Sequence, residues 1–545
     1  MAKKIETVLV SAFDKTDLDV FVEGLQEAED GITVYGSRGS ANYLTDLGID
    51  AHNVSELTGS EPWLDHRVAT LSEEVAAGLL ADDTPDHEHQ LAEKGIPRID
   101  LVAVDLYPLI ETVRNPDATE KDVIDKTDVG GPTMLHAGAK GRRLVLSRPE
   151  QRQELLNWLA DGRPDEKEFR RRLAAVAEWE AARHIMESAL SIGGKAMVGV
   201  MGELVEEFKG ENGGQRGGFY VDRYAPENSL ALRHFKLHRE EESELGYNNR
   251  TDVSRSLQTL VHVAAGFEQN FGEVPTYLGI GVKHGNPCGG GVAETPEEAI
   301  MKTIEGDQLA LFGGTVTFNF PIDEKLATLL MKHNQGDSKN LVDVAVVPSV
   351  TEEALKILHR KDGKLRVITN PALERLDENS LDKSPRIQTT FGGDLLVQDN
   401  YGFVLDLSLP EIEKFGEASP QQLRDMTLAW AICSTSNSNT ITFVKDGMLI
   451  ANAVGQQARI YAAELAVNRA NRIGHGVDRD VTACSDSFFP FADGPQALVD
   501  AGIGAIFTTR GSKKDSEVFD TFKKGGVVLY TLPDSMARGF SHHAA

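Results

Sequence analysis

Glu6-Thr7-Val8-Leu9-Val10-Ser11 is an apolar run of strand length, joined through a loop holding Asp14, Lys15 and Thr16 to an amphipathic helix from Leu18 to about Ala28. A strand that is apolar on both faces must be covered on both, and a helix with one apolar stripe supplies such a cover. The unit repeats: Ile32-Thr33-Val34-Tyr35 reads as a strand, Gly36-Ser37-Arg38-Gly39-Ser40 as a loop and Ala41 to Leu47 as a helix. Ile99-Asp100-Leu101-Val102-Ala103-Val104-Asp105-Leu106 is a further, strongly apolar strand. Strands and helices alternating across short connections predict the α/β class, with a doubly wound parallel sheet.

With 545 residues the chain has room for several domains. A charged, alanine-rich helix is predicted from about Asp165 to Leu190, and Lys209 to Gly218, the most glycine-rich segment, reads as an exposed loop. A boundary near residue 200 follows, giving domains 1–200 and 201–545. In the second, strands are predicted at Thr276–Lys283, Val342–Val347, Thr440–Val444, Ala505–Thr508 and Gly526–Tyr530, and helices at Pro296–Glu305 and Ala458–Ala470. No short internal repeat is visible, which sets solenoids and propellers aside.

The 84 acidic residues outnumber the 56 Lys and Arg, a net charge of −28. That balance opposes any general grip on nucleic acid polymers, which needs clustered cations, but leaves room for small anions held by a few local groups. No apolar run reaches the roughly 18 residues of a membrane span, and Met1-Ala2-Lys3-Lys4 is not followed by a signal-type apolar core. A soluble, cytoplasmic protein without membrane contact is expected. Cys288, Cys433 and Cys484 are far apart, which predicts buried thiols in a reducing compartment and neither disulfides nor a CxxC zinc site.

Several segments carry chemistry. The Gly36–Ser40 loop lies between a strand and a helix, where backbone N–H groups and hydroxyls bind phosphate; the same residues also make an ordinary turn. Ser11, Asp14 and Lys15 leave the preceding strand at the end where parallel sheets place their ligands. In Asp128-Val129-Gly130-Gly131-Pro132, a carboxylate precedes a turn and Lys140 follows about three helical turns later; the two meet on one ligand if the turn folds back, and otherwise are a helix-capping Asp and a solvated lysine. Gly281-Val282-Lys283-His284-Gly285-Asn286-Pro287-Cys288 is the sharpest signal, with a cation and an acid–base group together at a strand end. Its glycine spacing is not that of a dinucleotide fingerprint, and Pro287-Cys288 has no second cysteine at zinc-site spacing, so no metal is expected.

Taken in order, Asp14-Lys15-Thr16, Leu106-Tyr107-Pro108, Asp128-Val129-Gly130-Gly131-Pro132, Ala139-Lys140, Tyr247-Asn248-Asn249, Lys283-His284-Gly285-Asn286-Pro287, Phe312-Gly313-Gly314, Ser438-Asn439, Gly455-Gln456-Gln457 and Ser485-Asp486-Ser487-Phe488-Phe489-Pro490-Phe491 resemble the bifunctional family that unites AICAR transformylase with IMP cyclohydrolase. The resemblance implies a methylglyoxal-synthase-like domain followed by two cytidine-deaminase-like α/β subdomains without zinc. It implies formyl transfer from the co-substrate 10-formyltetrahydrofolate to AICAR, then dehydrative closure to IMP, by a homodimer. By resemblance, Lys283, His284 and Asn439 serve the first reaction and Tyr107, Asp128 and Lys140 the second. Ser11, Lys15, Ser37, Gly39, Ser40, Arg67 and Thr70 are implied as substrate contacts of the N-terminal domain. Arg233, Asn249, Phe312, Gly313, Asp343 and Arg538 are implied as those of the C-terminal one, and Phe491 and Asp493 as folate contacts.

The chain departs from that family at identifiable places. Ala69 replaces a lysine, Asp105 an asparagine, His136 an arginine and Arg38 a glycine, and His234 begins a run unlike the family's. Two other readings stay open on sequence alone: a transformylase with a weak or inactive cyclohydrolase domain, and a nucleotide-binding regulatory protein.

Overall fold

Val8, Leu9 and Val10 are fully buried, as a run with no polar residue requires, and they form the centre of a parallel sheet. Its strands are β1 (Thr7–Ser11), β2 (Thr33–Gly36), β3 (His52–Asn53), β4 (Leu101–Val104) and β5 (Leu144–Leu146), in the order β3-β2-β1-β4-β5. Every neighbouring pair is parallel. Leu18, Phe21, Leu25, Leu155 and Trp158 cover one face through Val8 and Val10, and Val75, Leu79, Met134, Leu135 and Ala177 cover the other through Leu9 and Val102. The sheet is therefore doubly wound, and the strand order reverses at β1, so the crevice outside the carboxyl ends of β1 and β4 is the natural ligand site.

This computed structural model describes residues 4–64, 68–238, 244–334, 340, 342–359 and 365–540. Two units are distinguished, Met1–Met201 and Gly202–Ala545. In the second, β6 (Glu203–Lys209) and β7 (Arg216–Val221) pair antiparallel. The sequence reading of 209–218 as an exposed loop is thus corrected: only 210–215 turn, and the glycines after Arg216 lie on an exposed two-stranded ribbon that needs little side-chain packing. The helix expected from Ala41 begins earlier, at Arg38, and ends at Asp46.

The second unit is built on one sheet that repeats its own construction. Its first half comprises β8 (Lys236–His238), β9 (Tyr277–Lys283), β10 (Asn286–Ala293), β11 (Thr315–Phe318), β12 (Val344–Val347) and β13 (Arg366–Thr369). After a separate ribbon of β14 (Arg386–Thr389) and β15 (Leu395–Gln398), the second half follows as β16 (Glu413–Phe415), β17 (Ile441–Lys445), β18 (Met448–Ala453), β19 (Thr482–Ser485), β20 (Ala505–Arg510) and β21 (Val528–Pro533). The order β16-β21-β20-β19-β17-β18-β10-β9-β11-β12-β13-β8 reads alike from either end. The hairpin β9–β10 lies antiparallel to β11, which runs parallel to β12 and β13; the hairpin β17–β18, with β19, β20 and β21, does the same. The halves join where β10 meets β18 at Gly291 and Met448. Each hairpin is preceded by a long helix, Tyr247–Phe271 or Pro420–Ser434, and Val253, Leu260, Met426 and Trp430 place both helices in one core.

Among the described residues no helix is long and apolar enough to cross a membrane. Cys288, Cys433 and Cys484 are free thiols, all buried.

Candidate functional site

In the first unit the loops after β1 and β2 are tied together by their hydroxyls. The Ala12 N–H donates to Ser40 Oγ at 3.0 Å, Ser37 Oγ lies 3.3 Å from Ser40 Oγ, and the Ser37 N–H donates to the Val10 carbonyl. Gly36 makes this possible, because a Cβ there would stand 2.8 Å from the Ala41 nitrogen. Lys15 donates to the Ala12 carbonyl at 3.2 Å, and its Nζ lies 3.9 Å from the Cβ position of Gly39. Ser11, Lys15, Ser37, Gly39 and Ser40 thus gather at the start of helix Arg38–Asp46, where an ammonium and free helix N–H groups suit a phosphate. Arg38 is exposed on that turn.

Asp128 sits at the β4 side of the same crevice. Its carboxylate accepts the Gly131 N–H at 3.0 Å, and its own N–H donates to His184 Nε2 at 2.8 Å. A Cβ on Gly131 would lie 2.3 Å from Asp128 Oδ2, so glycine is what lets the carboxylate lie against the helix start. Thr70 Oγ1 lies 2.7 Å from the Cβ position of Gly130, which brings the 68–72 segment to this cluster. Burial raises the Asp128 pKa against the pull of the backbone N–H groups, and burial together with the Asp128 charge raises that of Tyr107. Lys140 is different. It is exposed on the last turn of helix Gly130–Lys140, about 15 Å along the axis from Gly130 at 1.5 Å per residue. The turn does not fold back, and Lys140 does not join Asp128 within this unit. Arg67 lies outside the described residues.

Asp105 is a signal that sequence reasoning underused. Arg152 pairs with its carboxylate while donating to the carbonyls of Thr16 at 2.7 Å and Asp14 at 2.8 Å, so one guanidinium ties the β4 end to the β1 loop. Burial outweighs Arg152 and pushes the Asp105 pKa up to about 6. An unfolded Asp titrates near about 3.9, so between those values the folded protein binds more protons, and this group's contribution to stability falls as pH rises through the window. Thermal unfolding of Asp105→Asn beside the wild type is expected to show the wild type losing ground as pH goes from about 4 to about 6, by up to about 2 kcal/mol. A difference that does not change with pH overturns this.

In the second unit the hairpin β9–β10 turns through His284 and Gly285, both at positive φ (52° and 68°), the geometry of a two-residue type I′ turn. Asp252 on the helix Tyr247–Phe271 accepts the Gly285 N–H at 2.7 Å. Burial raises the Asp252 pKa, while that N–H and His284 oppose the rise. Lys283 donates to the Phe312 carbonyl, with its ammonium 5.6 Å from the Phe312 ring centroid. Its Nζ and Asp343 Oδ2 each lie 3.8 Å from the Cβ position of Gly313, a glycine at φ 71°. Lys283, His284, Phe312, Gly313 and Asp343 therefore form one group around a turn held by a buried carboxylate.

Asn286 extends this group. Its Oδ1 accepts the Asn437 N–H at 3.0 Å, and beyond it Asn439 Nδ2 donates to the Gln456 carbonyl at 2.8 Å. Arg459, buried and paired with Asp486, stands behind that loop and reaches Ser485 Oγ at 3.2 Å; nothing in its local sequence marks it, because its partner lies 27 positions away. Arg538 is held by Asp534, with Nε at 2.6 Å, and Asp534 also accepts from Ser487 and Thr509. Arg233 and Gly285 line one cavity of about 450 Å³, together with Arg255 and Arg386. Asn249 stands on the first helical turn after Gly246, and Phe491 and Asp493 are exposed at the start of helix Asp493–Ala501. No contact joins these three to the Lys283 group among those described.

Two family descriptions match the chain: "AICARFT/IMPCHase bienzyme" over residues 140–469 and "MGS-like domain" over residues 18–133. Over 98% of its length the chain is 32% identical to the Bifunctional purine biosynthesis protein PurH of Oceanobacillus iheyensis, covering 99% of that protein. It is 33% identical to the PurH protein of a Bacillus cereus strain, over 94% of this chain and 96% of that one. A solved structure titled "Crystal structure of ForH" is 29% identical, covering 35% of this chain and 100% of that chain with a TM-score of 0.30.

Proposed function

The chain belongs to the AICARFT/IMPCHase bienzyme family, and from that membership we propose how its two units divide the work. It is a bifunctional enzyme of purine biosynthesis, an AICAR formyltransferase and IMP cyclohydrolase. Gly202–Ala545 carries formyl transfer from 10-formyltetrahydrofolate, and Met1–Met201 closes the formylated product. The observation that carries the first assignment is the Lys283-His284 hairpin, pinned by Asp252 and facing Phe312, Gly313 and Asp343.

The AICAR amine is a weak nucleophile, because its lone pair is drawn into the ring and carboxamide. His284 takes the proton that the amine sheds as its nitrogen bonds the formyl carbon. Lys283 and Asn439 offer a cation and an amide where oxygen charge builds up. Arg233, Asn249 and Arg538 supply polar and cationic groups for the nucleotide, and the exposed ring of Phe491, with Asp493, supplies a surface for the folate. In the first unit the hydroxyl loop and Lys15 hold the phosphate, while Tyr107, Asp128 and Thr70 face the closing ring.

The enzyme works as a homodimer. The family resemblance implies a second copy of the chain as partner, and Ile387, Phe391, Leu395, Leu396 and Val397, exposed on the β14–β15 ribbon, offer an apolar surface that such a copy can cover. Sedimentation at micromolar concentration is expected to show a dimer, and a fully active monomer overturns that. Three free buried thiols suit a reducing cytoplasm. The test of the whole reading is an assay with AICAR and 10-formyltetrahydrofolate that resolves formylated intermediate from IMP. Formation of both supports it; accumulation of the intermediate alone removes the cyclohydrolase, and formation of neither removes the function.

A further inference from the structure

Tyr107, Asp128 and Thr70 give the crevice of the first unit a phenol, a carboxylate and a hydroxyl, yet dehydrative ring closure also builds negative charge on an oxygen that must leave. A cation belongs there. The segment carrying Thr70 has Ala69 beside it, where the family resemblance has lysine, so its own contribution is a methyl group.

Lys126 is the cation the structure sets against this cluster. It ends the helix Glu120–Lys126, with its Nζ 5.5 Å from the Tyr107 ring centroid and 5.4 Å from that of Phe13. The two rings meet edge to face at 5.8 Å, and the ammonium lies against both of them. One extended residue, Thr127 at φ −73° and ψ 102°, separates Lys126 from Asp128 in the chain, and Asp128 acts on the Tyr107 hydroxyl that Lys126 neighbours. Three other cations of the unit lie elsewhere within the protomer. Lys15 is bonded to the Ala12 carbonyl beside Gly39, Arg152 is paired with Asp105, and Lys140 stands at the far end of its helix.

We propose that Lys126 is the catalytic cation of ring closure in the first unit, supplying beside Tyr107 the positive charge that the Ala69–Thr70 segment does not. The proposal rests on the assignment of cyclohydrolase activity to Met1–Met201. The carboxamide nitrogen bonds the formyl carbon, and the carbonyl electron pair moves onto the formyl oxygen, which the Lys126 ammonium stabilises. The carboxamide nitrogen and the formamido nitrogen each give up one proton. The carbon–oxygen bond breaks as the ring C=N bond forms, and the oxygen departs with two protons as water. Lys126 relays a proton to that oxygen and regains one, so nothing is oxidised or reduced.

The test supplies synthetic formyl-AICAR to the full chain and follows IMP. Lys126→Gln is expected to lower kcat by about two powers of ten with KM little changed, while formyl transfer in the other unit stays at the wild-type rate and shows that the chain is folded. Adding A69K to that variant is expected to restore at least about tenfold of the loss. A K126Q enzyme within twofold of wild type overturns the proposal, as does a rise in KM with kcat unchanged, which makes Lys126 a substrate-holding group only. A wild-type chain that makes IMP no faster than the spontaneous reaction overturns the assignment of the unit itself, an outcome distinct from a silent K126Q.

Discussion

His284→Ala is expected to cut formyl transfer by about two to four powers of ten while AICAR still binds. The size follows from the reaction: an amine with a delocalised lone pair gains little by approach alone and must shed a proton as the new bond forms. His284 is the imidazole of a turn whose two residues both lie at positive φ, and Asp252 fixes that turn from a helix 33 residues earlier. The alanine variant keeps the Asp252 bond, because the donor is the Gly285 N–H and not the ring. Binding should survive on Arg233, Asn249 and Arg538, so calorimetry with AICAR is expected to give an affinity within a few-fold of wild type. Near-wild-type turnover would falsify the assignment of His284.

Asp128→Asn is expected to lower IMP formation from synthetic formyl-AICAR by about two to three powers of ten and leave formyl transfer unchanged. Asparagine still offers an oxygen to the Gly131 N–H, so the helix start at Gly130 stays capped and the fold is preserved; what disappears is the charge and the capacity to accept a proton. Burial raises the Asp128 pKa, so the wild-type cyclisation rate should fall on the acid side at a pH above the ordinary carboxylate range. The Asn variant should lose that limb. A pH–rate profile on both proteins checks the prediction, and an unchanged IMP rate removes Asp128 from the chemistry.

The two hairpins of the second unit show where sequence reading stops. Lys283-His284-Gly285 and Lys445-Asp446-Gly447 occupy the same place in the two halves, and each turn is held by a carboxylate from the preceding helix. Asp252 accepts from Gly285, and Asp425 from Gly447 at 2.7 Å. The fold is thus made twice, while an imidazole is present once. Nothing in either tripeptide announces that relation, because local residues specify only a turn with two positive-φ positions. Lys140 is the opposite case. Its spacing from Asp128 invited a shared site, and the regularity of one uninterrupted helix keeps the two ends apart.

The sequence by itself determined what short-range periodicity can carry. Apolar runs became buried strands, as at Val8–Val10 and Leu101–Val104; amphipathic stretches became covering helices, as at Leu18–Ala28; and the Lys-His-Gly-Asn order marked a strand end bearing chemistry. Only the tertiary structure decided which of those groups meet. Asn286 reaches Asn437 across 151 positions and Arg152 reaches the Asp14 carbonyl across 138, and the ammonium of Lys126 settles on Tyr107. Such contacts are set by how sheets stack and strands order themselves, through burial that is non-directional and indifferent to distance along the chain, so no local pattern encodes them.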